Sequence, residues 1–367
     1  VWWEPAAYAN PHVAVSGETG SGKTQSLMAL ASELHRQQVP LLILDFKDDY
    51  AQSFATTEGV AVWDPAEARL PFNPLAPVAD AEGRVEPLAH VHRVADVVKR
   101  VWGLGDQQAH RLREALKQLY ASAGVALEPH LAVPGQRWPA FGELTGRLEE
   151  RDTLRGRLSP VFDLGLLDPG PQAEVGFARL VEAGGIVRLA RLPGDEAKSA
   201  VAELLLLALY GELVRRPHTR RLRLGLLLDE GWRLSACPYL EPLLREGRAF
   251  GLAAILASQF PRDLPPAVRG SCATQLFFAQ TDAAQAAEVA KAVLGETHSA
   301  QAVLLSREVR SLSLFTALLH RRDTVLSRRP WTVVRVLPWF ERRGLGAGAD
   351  APVARLTPRA FNPGLEG

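Results

Sequence analysis

Sulfur is scarce in this chain, and so is any long greasy run. Two cysteines, Cys237 and Cys272, in 367 residues cannot supply the disulfide framework of a small secreted domain. Together with the nine histidines they show no metal-ligand spacing, which predicts no zinc site. The longest apolar stretch, residues 204–211, falls far short of the roughly 20 residues that a membrane span needs. Residues 1–9 lack the positively charged start of a signal peptide. These absences predict a cytoplasmic protein with no membrane span. An excess of one charge is missing too: 42 Lys and Arg against 41 Asp and Glu leave a net charge of +1. Any contact with nucleic acid therefore has to come from local patches. Only six of the 42 basic residues are lysine, a bias that genome composition explains as readily as phosphate binding.

What remains is ample material for a core. An apolar fraction of 47% with 23% charged residues argues against disorder. At roughly 100 to 200 residues per domain, the length admits two or three compact units or one large α/β domain with an insertion. Residues 12–16 form a short apolar run that enters a glycine-rich turn, and the amphipathic pattern of 23–36 then predicts a helix. Residues 41–45, LLILD, read as a strand buried on both faces. From about residue 59 the pattern turns irregular and proline-rich, and helical periodicity follows in 87–102, 106–123 and 141–155. The core resumes with a strand at 185–189 and a long helix through Arg216 that is apolar all round at 204–209, hence buried. Further strands are predicted at 222–228, 252–258, 274–279, 312–319 and 332–337, with helices at 239–250 and 283–294. This alternation predicts an α/β fold, a mainly parallel sheet covered by helices on both faces. The domain reading is a core of residues 1–75 and 181–340, a mostly helical insertion of 76–180, and a mobile C-terminal tail of 341–367.

The run Gly17-Glu18-Thr19-Gly20-Ser21-Gly22-Lys23-Thr24 fits the G-x-x-x-x-G-K-[ST] phosphate loop at every fixed position, with a strand before it and a helix after. Its glycines let backbone N–H groups turn toward phosphates, and the helix adds its positive end. Gly17, Thr19, Gly20, Ser21, Gly22, Lys23, Thr24 and the following Gln25 are the candidate nucleotide-binding residues. Lys23 is placed to reach the β- and γ-phosphates and Thr24 to ligate Mg²⁺, so ATP and Mg²⁺ are the expected cofactors. A hydrolase also needs a carboxylate for the metal and one for the water. Asp229 and Glu230, at the end of the 222–228 strand, supply a candidate metal ligand and a candidate general base.

Gln259, directly after the 252–258 strand, is a candidate γ-phosphate sensor, with a solvent-facing loop glutamine as the plain alternative. Arg245 and Arg248, three apart on the predicted 239–250 helix, share a face, and a guanidinium there could reach a neighbouring subunit's γ-phosphate. The plain alternative is a solvated helix face with Glu241 and Glu246 nearby. Basic clusters at Arg215, Arg216, Arg220, Arg221 and Arg223, and at Arg321, Arg322, Arg328 and Arg329, read as solvated surface rather than a phosphate track. Arg262 and Arg269, in a proline-stiffened loop, are better candidates for contact with DNA.

Taken together, GETGSGKT, LGLLLDEGWRL and LLREGRAFGLAAILASQFPRDLPPAVRGSCATQLFF resemble the HerA/FtsK superfamily of ring-forming DNA-pumping ATPases, over about residues 10–60 and 185–340. The third block, with Arg245, Gly247, Arg248, Gly251, Ser258, Gln259 and the Asp263-Leu264-Pro265 turn, is the most discriminating. LLILDFKDDY and PFNPL are similar to segments of conjugative coupling ATPases and of DptH-type phosphorothioation-restriction ATPases. The resemblance implies a RecA-like P-loop NTPase core, a homo-hexamer with ATP at its subunit interfaces and double-stranded DNA in its channel. It also implies the roles argued above for Lys23, Thr24, Asp229, Glu230 and Gln259, with an interfacial arginine completing each site. A nuclease or other DNA-processing protein is a candidate partner. Sixteen residues precede Gly17 where HerA proteins carry a β-barrel, so the stretch reads as a motor core separated from its other domains or as a branch without that barrel. The leading functional reading is an ATP-driven DNA translocase. A related motor that moves protein, and a nucleotide-gated assembly subunit of a defence or conjugation complex, are the alternatives.

Overall fold

The structure, a computed structural model, describes residues 5, 8–171, 173, 177–322, 330–343 and 357–358. Arg328, Arg329 and most of the 341–367 tail lie outside the described residues. Two compact units share the chain: unit 1 holds Val1–Leu41, Arg220–Ser235 and Gly251–Gly367, and unit 2 holds Leu42–Thr219 and Ala236–Phe250. The strands along the chain are β1 (Val13–Ser16), β2 (Leu41–Asp45), β3 (Val62–Trp63), β4 (Arg84–Val85), β5 (His130–Leu131), β6 (Gly185–Arg188), β7 (Leu224–Leu228), β8 (Leu252–Ser258), β9 (Thr274–Phe277), β10 (Thr316–Arg321), β11 (Trp331–Arg335) and β12 (Thr357–Pro358).

In unit 1 the strand order is β12-β11-β10-β9-β1-β8-β7. β9, β1, β8 and β7 run parallel, with Val13 opposite Ile255 on one side and Thr274 on the other, while β10, β11 and β12 are antiparallel. β1, β7, β8 and β9 are buried along their whole length, which is why β1, β7 and β8 read as near-continuous apolar runs rather than alternating ones. The helix Lys23–Arg36 is buried without a break from Ser26 to Leu34. Gly225 in β7 makes room for it, since a Cβ there would stand 2.8 Å from Leu34 and 2.9 Å from Leu41. The helices Ala283–Leu294 and Ala300–Arg310 close over Phe277, Leu318 and Trp331. His12, fully buried just before β1, accepts the Ala254 N–H on Nδ1 at 3.0 Å, so a side chain extends the strand pairing.

In unit 2, β2, β6 and β3 lie side by side in that order and run parallel. The helices Pro87–Trp102 and Asp106–Ser122 pack together across a short turn in which Gly103 takes the left-handed conformation that ends many helices. The helix Gly194–Val214 is buried at Leu204, Leu205, Leu206, Leu207 and Leu209, as its apolar circumference predicts. Two buried carboxylates interrupt it, and each is paired, as burial of a charge requires. Glu203 binds Arg100, and Glu212 binds Arg215 and Arg216, each at 2.6 Å.

Three segments depart from the periodicity reading. Residues 141–155 are not one helix: a 3₁₀ turn, Phe141–Arg147, is followed by extended Leu148 and a short helix, Thr153–Arg157. Gly142 and Gly146 weaken helix formation there, and the Gly142 N–H is drawn to Asp168 Oδ1 at 2.6 Å. Residues 239–250 form the helix Leu240–Glu246 and then a 3₁₀ turn, Gly247–Phe250, so the predicted helix stops at its glycine. The helix Ala300–Arg310, capped by Ser299, was not anticipated, and it delays the next strand to Thr316. Among the described residues, no helix is long and apolar enough to cross a membrane. No group of three or more His, Cys, Asp or Glu among them is placed to hold a metal ion.

His90 offers a test of the unit 2 core. It is buried, donates from Nε2 to the Pro74 carbonyl at 2.8 Å, and its pKa is held down at about 4 by desolvation, with Arg93 adding to the effect. In the unfolded chain the same imidazole titrates near its ordinary 6.5. Stability from the neutral form is thus fully present above pH 6.5 and is lost as the pH falls toward 4. Urea midpoints measured across this window should fall more steeply for the parent than for His90→Gln, which keeps a donor and does not titrate.

Candidate nucleotide-binding site

β1 delivers the chain into the glycine-rich loop, and the loop is fixed from two neighbouring strand ends and by bonds of its own. The Gly17 N–H donates to the Gln259 carbonyl at 3.0 Å and the Glu18 N–H to the Ala279 carbonyl at 3.1 Å. The Ser21 hydroxyl donates back to the Glu18 carbonyl at 2.7 Å. The Lys23 ammonium donates to the carbonyls of Gly17 and Glu18, so it lies folded over the loop. Thr19 and Gly20 form the exposed tip. Two glycines are required by the geometry. Gly17 has no room for a Cβ, which would stand 2.5 Å from Phe278 Cβ, and Gly22 combines φ +100° with a Phe315 ring carbon 2.4 Å from where a Cβ would be.

The acidic pair meets the loop at the end of β7. The Thr24 hydroxyl donates to Asp229 Oδ2 at 3.1 Å, and both carboxylates are buried, Asp229 at 8% and Glu230 at 6% exposure. Glu230 Oε2 accepts the indole N–H of Trp232 at 2.5 Å, and the Arg233 guanidinium stands 4.7 Å over that indole. The oxygens of Thr24 and Asp229 fit Mg²⁺, a hard cation that takes one or two protein oxygens and keeps water and phosphate for the rest. Such a site does not need a larger cluster of protein ligands.

Of the remaining candidates, Gln259 meets the loop through its carbonyl oxygen, which also accepts from Gln280 Nε2 at 2.9 Å. Gln25 lies in the first turn of the helix, its amide nitrogen 3.7 Å from Met28 Sδ. Arg245 and Arg248 belong to unit 2. Arg245 is exposed and pairs with Glu241 at 3.3 Å, and Arg248, also exposed, lies in the 3₁₀ turn that continues from the helix. Arg262 lies 5.3 Å over the Phe260 ring, and Arg269 donates to the Pro261 carbonyl at 2.6 Å, where burial pulls its pKa down.

Sequence reasoning missed two contacts that hold the cradle. Glu18 occupies a variable position of the motif, yet its carboxylate accepts from the Thr281 N–H at 2.6 Å and from the Thr281 hydroxyl at 2.9 Å. Gln280, fully buried, ties the chain after β9 to the end of β8. Neither carries a spacing signal, because the partners are more than 20 residues apart in the chain.

A parallel sheet whose first strand enters such a loop, with an acidic strand end bonded to the loop threonine, defines a P-loop nucleotide-binding protein. The family model for the Helicase HerA central domain matches residues 5–123, and that for the Type IV secretion-system coupling protein DNA-binding domain matches residues 195–309. VirB4 of Thermoanaerobacter pseudethanolicus superposes with a TM-score of 0.67 at 21% identity, over 88% of this chain and 90% of that one. The plasmid coupling protein TrwB in complex with ADP and Mg²⁺ does so with a TM-score of 0.60 at 17% identity, over 90% and 85%. TrwB in complex with the ATP analogue ADPNP gives 0.58 at 18%, over 90% and 85%. No curated protein matches the chain significantly. Two stretches of the chain are thus similar to HerA-type and coupling-protein domains, and its fold is the RecA-like P-loop fold shared with VirB4 and TrwB.

The tight packing at Gly22 is directly testable. Gly22→Ala would force a Cβ into the Phe315 ring at a backbone angle alanine rarely adopts. It should lower stability by about 1–3 kcal/mol, read as a lower urea midpoint.

Proposed function

We propose that this chain hydrolyses ATP with Mg²⁺ and uses the cycle to move double-stranded DNA through a homo-hexameric ring. The observation that carries the reading is the hydrogen bond from Thr24 to Asp229, which joins the end of the phosphate loop to a strand end whose next residue is Glu230. Lys23 and the loop N–H groups hold the triphosphate, and the lysine charge offsets the negative charge that develops during transfer. Thr24 and Asp229 would hold Mg²⁺, which when bound neutralises phosphate charge. Glu230 draws a proton from the attacking water, and Gln259, whose carbonyl is bonded to Gly17, links the γ-phosphate position to β8. TrwB with ADP and Mg²⁺ supports the choice of ligands, and the coupling-protein DNA-binding match supports DNA as the partner. That same family description names a secretion system, which supports a second reading, a motor that moves polypeptide.

Phosphate release measured with and without duplex DNA separates these. DNA should raise turnover, and a rate that rises with polypeptide and ignores DNA favours the second reading. Glu230→Gln should lower turnover about 10²-fold or more while retaining nucleotide binding, whereas Lys23→Ala should lose both. Glu230→Gln turning over at the parent rate would remove Glu230 from the mechanism.

The arginine role is tested by mixing. Arg248→Ala and Glu230→Gln chains, each inactive alone, should regain part of the parent turnover when combined, because shared interfaces then carry one intact copy of each group. Absence of rescue at every mixing ratio would return Arg248 to the solvated surface.

A further inference from the structure

One aromatic ring lies against the phosphate loop and a second lies against the first, and the proposed chemistry uses neither. The Phe315 ring lies on Gly22, with carbons 2.4 and 2.8 Å from where a Cβ on that glycine would be. Its backbone is tied to the same loop, the Phe315 N–H donating to the Ser21 carbonyl at 3.3 Å while its own carbonyl accepts from Val336 at 2.8 Å. Phe315 has φ +57°, a conformation that is rare for a bulky residue and persists only where the surroundings fix it. Phe340 meets Phe315 edge-on, with ring centroids 5.7 Å apart and an interplanar angle of 65°. It sits on the short helix Trp339–Arg343, which packs against the Lys23–Arg36 helix that begins in the loop. Trp339 beside it is buried at 3% exposure and anchors this helix, whereas Phe340 is 51% exposed.

A large aromatic held open to solvent by a buried neighbour, and backed by a second ring fixed to the last glycine of the cradle, is a stacking surface. Its contiguity with the cradle assigns it to whatever the cradle holds. The loop supplies N–H groups and a lysine for phosphates and offers nothing for a flat apolar face. We infer that Phe340, backed by Phe315, seats the nucleobase of the nucleotide whose phosphates enter the loop. The inference rests on the phosphate-loop reading above and adds the part of the ligand that reading leaves without a partner.

The test compares ATP with inorganic tripolyphosphate, which has the phosphates and no base. Titration calorimetry with Mg²⁺ on the full chain should show the parent binding ATP more tightly than tripolyphosphate. Phe340→Ala should weaken ATP about tenfold, leave tripolyphosphate unchanged, and recover with Phe340→Tyr. Phe340 is exposed, so the alanine variant is expected to fold, and an unchanged tripolyphosphate affinity reports an intact cradle in the same experiment. Equal parent affinities for the two ligands, or Phe340→Ala binding ATP like the parent, overturn the base seat alone. Equal losses for both ligands in Phe340→Ala overturn it too, since the ring would then be supporting the loop or packing against a second copy. A parent that binds neither ligand overturns the phosphate-loop reading and the base seat with it.

Discussion

Parallel pairing of β1, β8 and β7 is the constraint on which the site depends. Ser16 stands opposite Ser258, and Leu228 opposite Leu256, so the three strands end at one edge of the sheet. Parallel strands in this register release their loops on the same side, which is where ligands collect in such folds. The chain after β1 becomes the cradle, the chain after β7 becomes Asp229 and Glu230, and the chain after β8 becomes Gln259. The two contacts that assemble the site follow from that edge: Thr24 to Asp229, and Gly17 to the Gln259 carbonyl.

A cradle is useful only if it does not have to organise itself at each binding event, since ordering a loop subtracts from affinity. Here the surroundings do the organising. Phe278 leaves no space above Gly17, Ala279 accepts from the next N–H, and the Glu18 carboxylate is bonded to Thr281. Arg310 in turn donates to the Thr281 carbonyl at 3.1 Å, so the latch is itself held by the helix Ala300–Arg310. The turn after β9 therefore positions the candidate phosphate-binding groups without contributing any of its own to the motif.

The parts legible in the sequence are those with a short-range signature. LGLLL and LAAILAS announce buried strands because both faces are covered, and GETGSGKT announces its loop because glycine is needed at fixed places. The helix Ala300–Arg310 was hidden because Leu304 and Val303 are apolar yet 40% and 43% exposed, which blurs its periodicity. Charge was the least legible property. Arg215 and Arg216 are spent on Glu212, Arg321 is buried over the Tyr8 ring, and Arg322 donates to the Gly270 carbonyl. Arg269, one of the candidates for contact with DNA, donates to the Pro261 carbonyl at 2.6 Å. A cluster of arginines in sequence reports a surface patch only when no acceptor within the fold claims them, and the spacing of the arginines says nothing about that.

The chain path adds a consequence that strand pairing alone does not. After Glu230 it leaves unit 1 at Ser235, passes through Ala236–Phe250 in unit 2, and returns at Gly251, where φ is +88°, to begin β8 and end at Gln259. Arg245 and Arg248 lie on this excursion, which is fastened within unit 2 by Tyr210 donating to Glu246 at 2.8 Å and by the Thr219 N–H donating to the Ala249 carbonyl at 2.8 Å. The groups proposed to act on water and to sense the γ-phosphate are therefore the two ends of one covalent segment whose middle carries the candidate arginines. In a motor, the catalytic event and the element that must respond to it have to be mechanically connected. A segment that starts at the proposed base and finishes at the proposed sensor would give that connection through the backbone itself.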